Sequence, residues 1–236
     1  MNNEVESGGV GGFFSRFSWI FYSPSRVFED IERGAVGWWQ PYIWLGVINL
    51  IVAYISIPVQ RAIMLLNPRN LPEETLEQGI ESFERFATFG IVVAPIAVLV
   101  TALITALIGY VLVSILATNA NFKRFFTIYL YSSIVANVGY LLSVLIVVYV
   151  KGIETIRTTQ DAAFSFGLGF LAPPENKFLG ACFRSLDLFA IWALVIVGMG
   201  LVQVFKMTRN QAIWCVVPLW LISVVMIALG RALGGA

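Results

Sequence analysis

Polar residues are thinly and unevenly scattered along this chain, and between them lie long runs with almost no charge. Crossing a hydrocarbon core about 30 Å thick takes about 20 mostly apolar residues in an α-helix, at about 1.5 Å each. Five segments meet that length: Tyr42–Gln60, Thr88–Ala117, Phe125–Val150, Asp187–Phe205 and Gln211–Gly230. The second is too long to stand upright, so tilt or a kink near Pro95 is expected to absorb the excess. The predicted fold class is all-α: a polytopic membrane helix bundle of five transmembrane helices with added interfacial amphipathic helices.

The stretches between the spans are patterned too. Phe13, Phe14, Phe17, Trp19, Ile20 and Phe21 form an aromatic run interrupted by Ser and Arg16. Ser23-Pro24 then offers a helix start, Val27, Phe28 and Ile31 share a face, and Gly34 can end the helix. Glu29, Asp30 and Glu32 are assigned to the other side of that helix. Two dispositions fit: a helix lying on the membrane surface, or one packed under the bundle. Trp38, Trp39, Tyr42 and Trp44 suit an aromatic belt where the first span begins. After Pro173-Pro174, the residues Phe178, Leu179, Cys182, Phe183 and Leu186 recur at helical spacing, which predicts a surface helix leading into the span at Asp187. Phe164–Leu171 is apolar but too short to cross. Glu73–Glu84, with Leu76, Ile80 and Phe83 among the acids, reads as a charged amphipathic helix outside the membrane.

Composition sharpens this picture. Of 236 residues, 58% are hydrophobic and 12% charged, where soluble domains have about 25% charged residues. So little charge cannot clothe a globule in water, which sets soluble enzyme folds aside. Fifteen basic and fourteen acidic residues nearly cancel, so no nucleic-acid partner is expected. With no histidine, His-based triads, His-containing metal sites and imidazole relays are excluded. The glycine-rich start, residues 1–12, is expected to be a flexible tail without a cleavable leader, ahead of a membrane domain over 13–236.

Basic residues divide almost evenly between the two sides, but their density differs. The short connectors Thr118–Arg124 and Lys206–Asn210 each hold two basic residues and no acid. The opposite loops are longer and mix bases with acids. This favours a multi-pass protein of the cell membrane with a cytoplasmic N-terminus and its C-terminus on the far side.

Polar groups inside spans are costly and often functional. Asn49 in the first span and Asn137 in the third are the best placed. Asp187 opens the fourth span with Arg184 one turn earlier, a spacing at which the two can pair. Each has a structural reading beside the functional one, because Asn ties helices together and terminal charges reach the interface. Ser132, Ala136, Gly139 and Ser143 share one face of the third span, as Thr101, Thr105 and Gly109 do in the second. Such small faces favour close helix packing over a translocation path. Cys182 and Cys215 are too few for a metal site and too far apart to bond. No nucleophile elbow, phosphate loop or zinc motif is present. The Glu73-Glu74 pair lacks the nearby Arg that an intramembrane protease of the paired-glutamate kind would need. No enzyme activity, metal or cofactor is expected.

Three stretches carry a resemblance that covers most of the chain after about residue 20. They are Ser23-Pro24-Ser25-Arg26-Val27-Phe28 through Trp38-Trp39-Gln40-Pro41; Phe122-Lys123-Arg124-Phe125-Phe126 through Tyr131-Ser132-Ser133; and Leu186-Asp187-Leu188-Phe189-Ala190-Ile191-Trp192 through Gly198, followed by Gln211-Ala212-Ile213. In these the chain resembles the Yip1-domain family, and its short tail is similar to the prokaryotic branch. The resemblance implies an integral membrane protein with a cytoplasmic N-terminus. Eukaryotic members act in vesicle transport and bind prenylated small GTPases and each other. This chain lacks their Asp-Leu-Tyr-Gly-Pro motif, so small-GTPase binding attaches to none of its residues. The expected partners are membrane lipids, a second copy of the chain or other membrane proteins. The expected role is to organise membrane or partners; the alternative is a permease or lipid-translocating protein, acting alone or as an oligomer.

Overall fold

The structure is a computed structural model and describes residues 11–66, 70–159, 161–171, 182–183 and 186–233. Two short helices, α1 (Phe13–Tyr22) and α2 (Pro24–Glu32), precede the long ones. The long helices are α3 (Trp39–Leu65), α4 (Glu73–Leu116), α5 (Phe122–Leu145), α6 (Leu188–Val204) and α7 (Arg209–Leu233). Helix α5 runs on as a π-helical stretch over Ile146–Gly152, and Gly152 then turns the chain at φ +86°, a backbone region open chiefly to glycine. Among the described residues, three helices are long and apolar enough to cross a membrane: Trp39–Leu65, Phe89–Leu116 and Phe122–Thr155. Helix α6 is apolar but has only 17 residues.

Only Ser23 separates α1 from α2. It occupies the N-cap of α2, but its hydroxyl makes no capping bond; Pro24 in the first turn supplies the start, its ring already set to the helical φ. The other end of α2 follows the expectation. Gly34 takes φ +73°, the Ala35 amide donates to the Asp30 carbonyl and the Gly34 amide to Ile31. That reciprocal pair is a Schellman stop, which satisfies carbonyls the helix would otherwise leave bare.

Helix α3 packs on α4 and α5, α5 on α6, and α6 on α2 and α7. The core therefore runs through α5, with Ile128, Leu130, Tyr131 and Ile134 fully buried, and on into Phe28 of α2 and Leu201 of α6. Glycines set the closest approaches. A side chain at Gly139 would collide with Phe189 of α6, and one at Gly200 with Ile128 of α5 and Phe28 of α2. In lipid, where apolar helices gain nothing by hiding from water, such close contact is what holds helices together.

Helix α4 departs from expectation in its extent. The acidic amphipathic segment and the second span form one unbroken 44-residue helix from Glu73, with Pro95 inside it. Nothing in Glu73–Thr88 breaks a helix, so helical hydrogen bonding carries straight through the change from charged to apolar surface. The hydroxyl of Tyr42 donates to the Pro95 carbonyl at 3.2 Å.

Candidate functional site

Hydrogen-bonded polar groups are grouped at three levels of the bundle, with a buried ion pair at the first and mostly partly buried or exposed groups at the others. The first lies under α3. Arg16 of α1 and Asp30 of α2 are each 3% exposed, and Arg16 Nε is 2.8 Å from Asp30 Oδ2. The Gly11 amide donates to that same oxygen at 3.0 Å, and Arg16 Nη1 donates to Gln40 Oε1 of α3 at 2.7 Å. Buried Tyr131 of α5 lies within electrostatic reach of both charges. Four elements thus meet on one ion pair. A buried charge persists only when paired and hydrogen-bonded, and these contacts meet that need. Gly11, within the stretch expected to be a flexible tail, is buried against Trp19, and residues 1–10 lie outside the described residues.

This cluster corrects the placement of Asp30. It shares the inward face of α2 with Val27 and Ile31, three residues after one and next to the other. The helical spacing could have shown this, but an acid beside Glu29 and Glu32 looks like part of a solvated face. Arg16 was equally hidden, as a seeming interruption in an aromatic run. Of the two dispositions open for α1, the structure has it packed under the bundle. Arg16 and Ile20 are buried, and Phe13 and Phe17 lie against Trp44 of α3 at ring distances of 4.9 and 4.3 Å. Trp44 therefore belongs to this packing, while Trp39 stays half exposed as a belt residue would.

The same end gathers the basic connectors. Lys206 Nζ is 2.6 Å from a Glu32 carboxylate oxygen, Arg124 donates to the Glu32 carbonyl at 3.4 Å, and Gln203 Nε2 donates to the Ser25 carbonyl at 3.0 Å. Thr208 and Gln211 cap each other's amides at the start of α7, a capping box. The two base-rich turns and the N-terminal helices consequently share one side of the bundle.

The second level is inside the spans. Asn49 Nδ2 donates to Asn137 Oδ1 at 3.0 Å, joining α3 to α5. Each Asn also donates to its own helix, Asn49 to the Leu45 carbonyl and Asn137 to that of Ser133, both at 2.9 Å. Asn49 sits ten residues into α3, or about 15 Å along its axis, near the middle of a hydrocarbon core about 30 Å thick. Beside it on α5, Ser132 and Ser143 are buried with their hydroxyls on the carbonyls of Tyr129 and Gly139. Ala136 is half-buried, and Gly139 meets Phe189. On α4, Ala102, Ala106 and Gly109 turn into the bundle while Thr101 faces outward.

The third level is the far end. Asp187 caps α6, its Oδ1 accepting from the Phe189 amide at 2.9 Å. Its Oδ2 accepts from the Phe166 amide at 2.9 Å and meets the Ser165 hydroxyl at 3.5 Å. These bonds hold the Phe164–Leu171 stretch, with its short 3₁₀ turn over Leu168–Leu171, against the start of α6. Gly167 is needed there, because a Cβ would strike the Leu186 carbonyl. Arg184, expected to pair with Asp187, lies outside the described residues, as do most of the positions of the expected surface helix before it. Asp161 accepts from the Thr158 hydroxyl and from the amides of Arg157 and Thr158. The Thr158 hydroxyl and then the two amides hold its carboxyl below the usual carboxylate range. No disulfide joins Cys182 to Cys215. Among the described residues, no cluster of three or more Cys, Asp or Glu could hold a metal.

Helices of membrane-crossing length, small-residue contacts and internally satisfied polar groups define an integral membrane helix bundle. A family profile described as the Yip1 domain matches residues 20–230. The chain belongs to the Yip1-domain family, whose members are generally non-enzymatic membrane proteins. No significant match was found among curated proteins or among solved structures.

Proposed function

We propose that this protein is a non-enzymatic organiser of membrane or membrane-protein partners. It crosses the cell membrane five times, with its N-terminus cytoplasmic and its C-terminus opposite. The observation that carries this reading is the outer face of α4. Its apolar stretch is much less buried than those of α3 and α5. Val92, Ile96, Ile104, Val111 and Ile115 all point away from the bundle. A helix held on one side and bare on the other offers lipid, a second copy or another membrane protein a long apolar face. The Asn, Ser and Asp side chains described above bond to one another or to backbone, which supports packing over catalysis. The basic turns gathered beside α1 and α2 support placing that end in the cytoplasm.

Fluorescence energy transfer between labelled copies in liposomes, read together with vesicle shape by electron microscopy, tests this. Transfer above that of a non-associating membrane control, or a change in vesicle shape, is expected. Neither effect, alone or with added membrane extract, would overturn the reading.

The translocating alternative, by a monomer or an oligomer, draws on the Asn49–Asn137 pair, which places amide groups near mid-membrane. Lipid-scrambling and solute-flux assays in proteoliposomes decide it. Under the organiser reading, wild type and Asn137→Leu both stay at the rate of protein-free vesicles. A wild-type rate well above that, lost in Asn137→Leu, supports translocation.

A further inference from the structure

A groove lies between α6 and α7, and one end of it adjoins the α1–α2 level of the bundle. Its volume is about 650 Å³, and it is walled by Ile191, Val195 and Gly198 of α6 and by Ile213 and Val217 of α7. That volume lies within the range of sites that enclose small ligands. The walls are almost wholly apolar; Ser25, Gln203 and Arg209 line one end, and Trp220 of α7 lines the groove further along. From Ile191 to Gln203 the groove follows twelve residues of α6, about 18 Å at about 1.5 Å per residue. Half of a hydrocarbon core about 30 Å thick is about 15 Å, so the groove is about one leaflet deep.

Arg209 gives that end its chemistry. It is exposed in the first turn of α7 and forms no ion pair among the described residues. Its neighbour Lys206 is already matched by Glu32, and Arg26 lies over the Trp19 ring, 5.4 Å from its centroid. Among the described residues, Arg209 therefore leaves a positive charge without an acidic partner at the mouth of an apolar channel. It is also at the end of the bundle where α1, α2 and the basic turns mark the membrane surface.

We infer that this groove seats one acyl chain of an anionic phospholipid from the adjoining leaflet, with the lipid phosphate on Arg209. Apolar walls one leaflet deep take the chain, and the guanidinium takes the phosphate in a paired, forked geometry that a neutral donor cannot match. The outer face of α4 is equally apolar, but it is the convex surface of a helix and offers no groove to enclose a chain. The bound lipid would be a fixed component filling the seam between α6 and α7, which goes beyond a role in organising partners.

Gly198 allows a clean test. A Cβ there would meet only Val216, at 3.9 Å, so a larger side chain can project into the groove without striking backbone. The full chain is reconstituted in phosphatidylcholine liposomes containing phosphatidylglycerol with a diazirine on one acyl chain, and the labelled peptides are mapped by mass spectrometry. Labelling is expected to concentrate on residues 191–203 and 212–217. Gly198→Phe should drop it to the level of the α4 surface. Arg209→Gln, an exposed change with no packing role, should lower phosphatidylglycerol labelling about fivefold, the scale of one basic residue facing an anionic leaflet. Labelling by the matched phosphatidylcholine probe should not change with Arg209→Gln. Equal labelling of α4 and the groove, unaltered by Gly198→Phe, would overturn the inference. So would no preference for phosphatidylglycerol in the wild type. Disulfide-linked dimers of Gly198→Cys would also overturn it, by showing that a second copy fills the groove.

Discussion

The two ends of the bundle hold their helices by opposite means. At the α1–α2 end, Arg16 and Asp30 form an ion pair whose side chains are each 4% exposed, with bonds to Gln40 and Gly11 at its edges. At the far end, Arg61 of α3 meets Glu84 of α4 at 3.1 Å, but these side chains are 57% and 48% exposed. Chemically the two pairs are alike. Physically they differ in the cost of losing a partner. Water screens and replaces an exposed partner, so such a pair contributes little. A buried pair adds little over an apolar substitute, yet losing one member strands the other without water. The α1–α2 end is therefore the one where a single change is expected to undock whole helices.

The largest expected effect comes from breaking that buried pair on one side only. Asp30→Ala leaves Arg16 unmatched and should lower stability by ~3–5 kcal/mol, read as a fall in the thermal midpoint of the purified protein in detergent. The double change Arg16→Met with Asp30→Leu should recover most of the loss. A double variant as weak as Asp30→Ala would mean that the pair holds the end together by its charge and not by its packing.

Gly200→Leu comes next. Its side chain would run into Ile128 and Phe28, and overpacking of this kind costs ~1–3 kcal/mol. The same melting measurement should show it, together with faster proteolysis between α2 and α3 as α2 lifts away. A Gly200→Leu protein with wild-type stability and protection would show that α2 is not seated on α6.

At the far end, Glu84→Gln should change stability by less than ~1 kcal/mol, and that small effect should fade further in high salt. A loss as large as that from Asp30→Ala would erase the contrast between the ends. The smallest effect is the pH response of the loop at Asp161. Its carboxyl titrates below the ordinary value, so its bonds stabilise the folded loop above about pH 4 and are lost as pH falls through the lowered value. NMR shifts of the Arg157 and Thr158 amides should follow that loss. Amides that stay put under acid would mean that the backbone alone shapes the loop.

Much of the fold is written in short-range pattern. The run at Tyr42–Gln60 falls inside α3 and that at Thr88–Ala117 almost wholly inside α4, because apolar length and helical hydrogen bonding are local properties. Helix α2 began and stopped where Pro24 and Gly34 placed it, again through local backbone chemistry. The Asn49–Asn137 bond was half legible. Each residue stands out alone in its span, but only the packing of α3 on α5 could pair them. Asp187 was legible as a span opening, while its hold on Ser165 and Phe166 depends on the chain folding back across about twenty residues.

By itself, the sequence determined the solvent. Scarce charge and long apolar helices permit only a bilayer, since backbone polar groups in hydrocarbon must be satisfied within the helix. It also determined where most helices turn, because caps and breakers act over a few residues. Only the tertiary structure decided which polar residues matter. Arg16 met Asp30 across a turn, the acidic segment joined α4, and α6 and α7 left a groove between them. The reason is one of range: hydropathy is a sum over neighbours in sequence, whereas burial and ion pairing depend on neighbours in space, which docking of the helices creates.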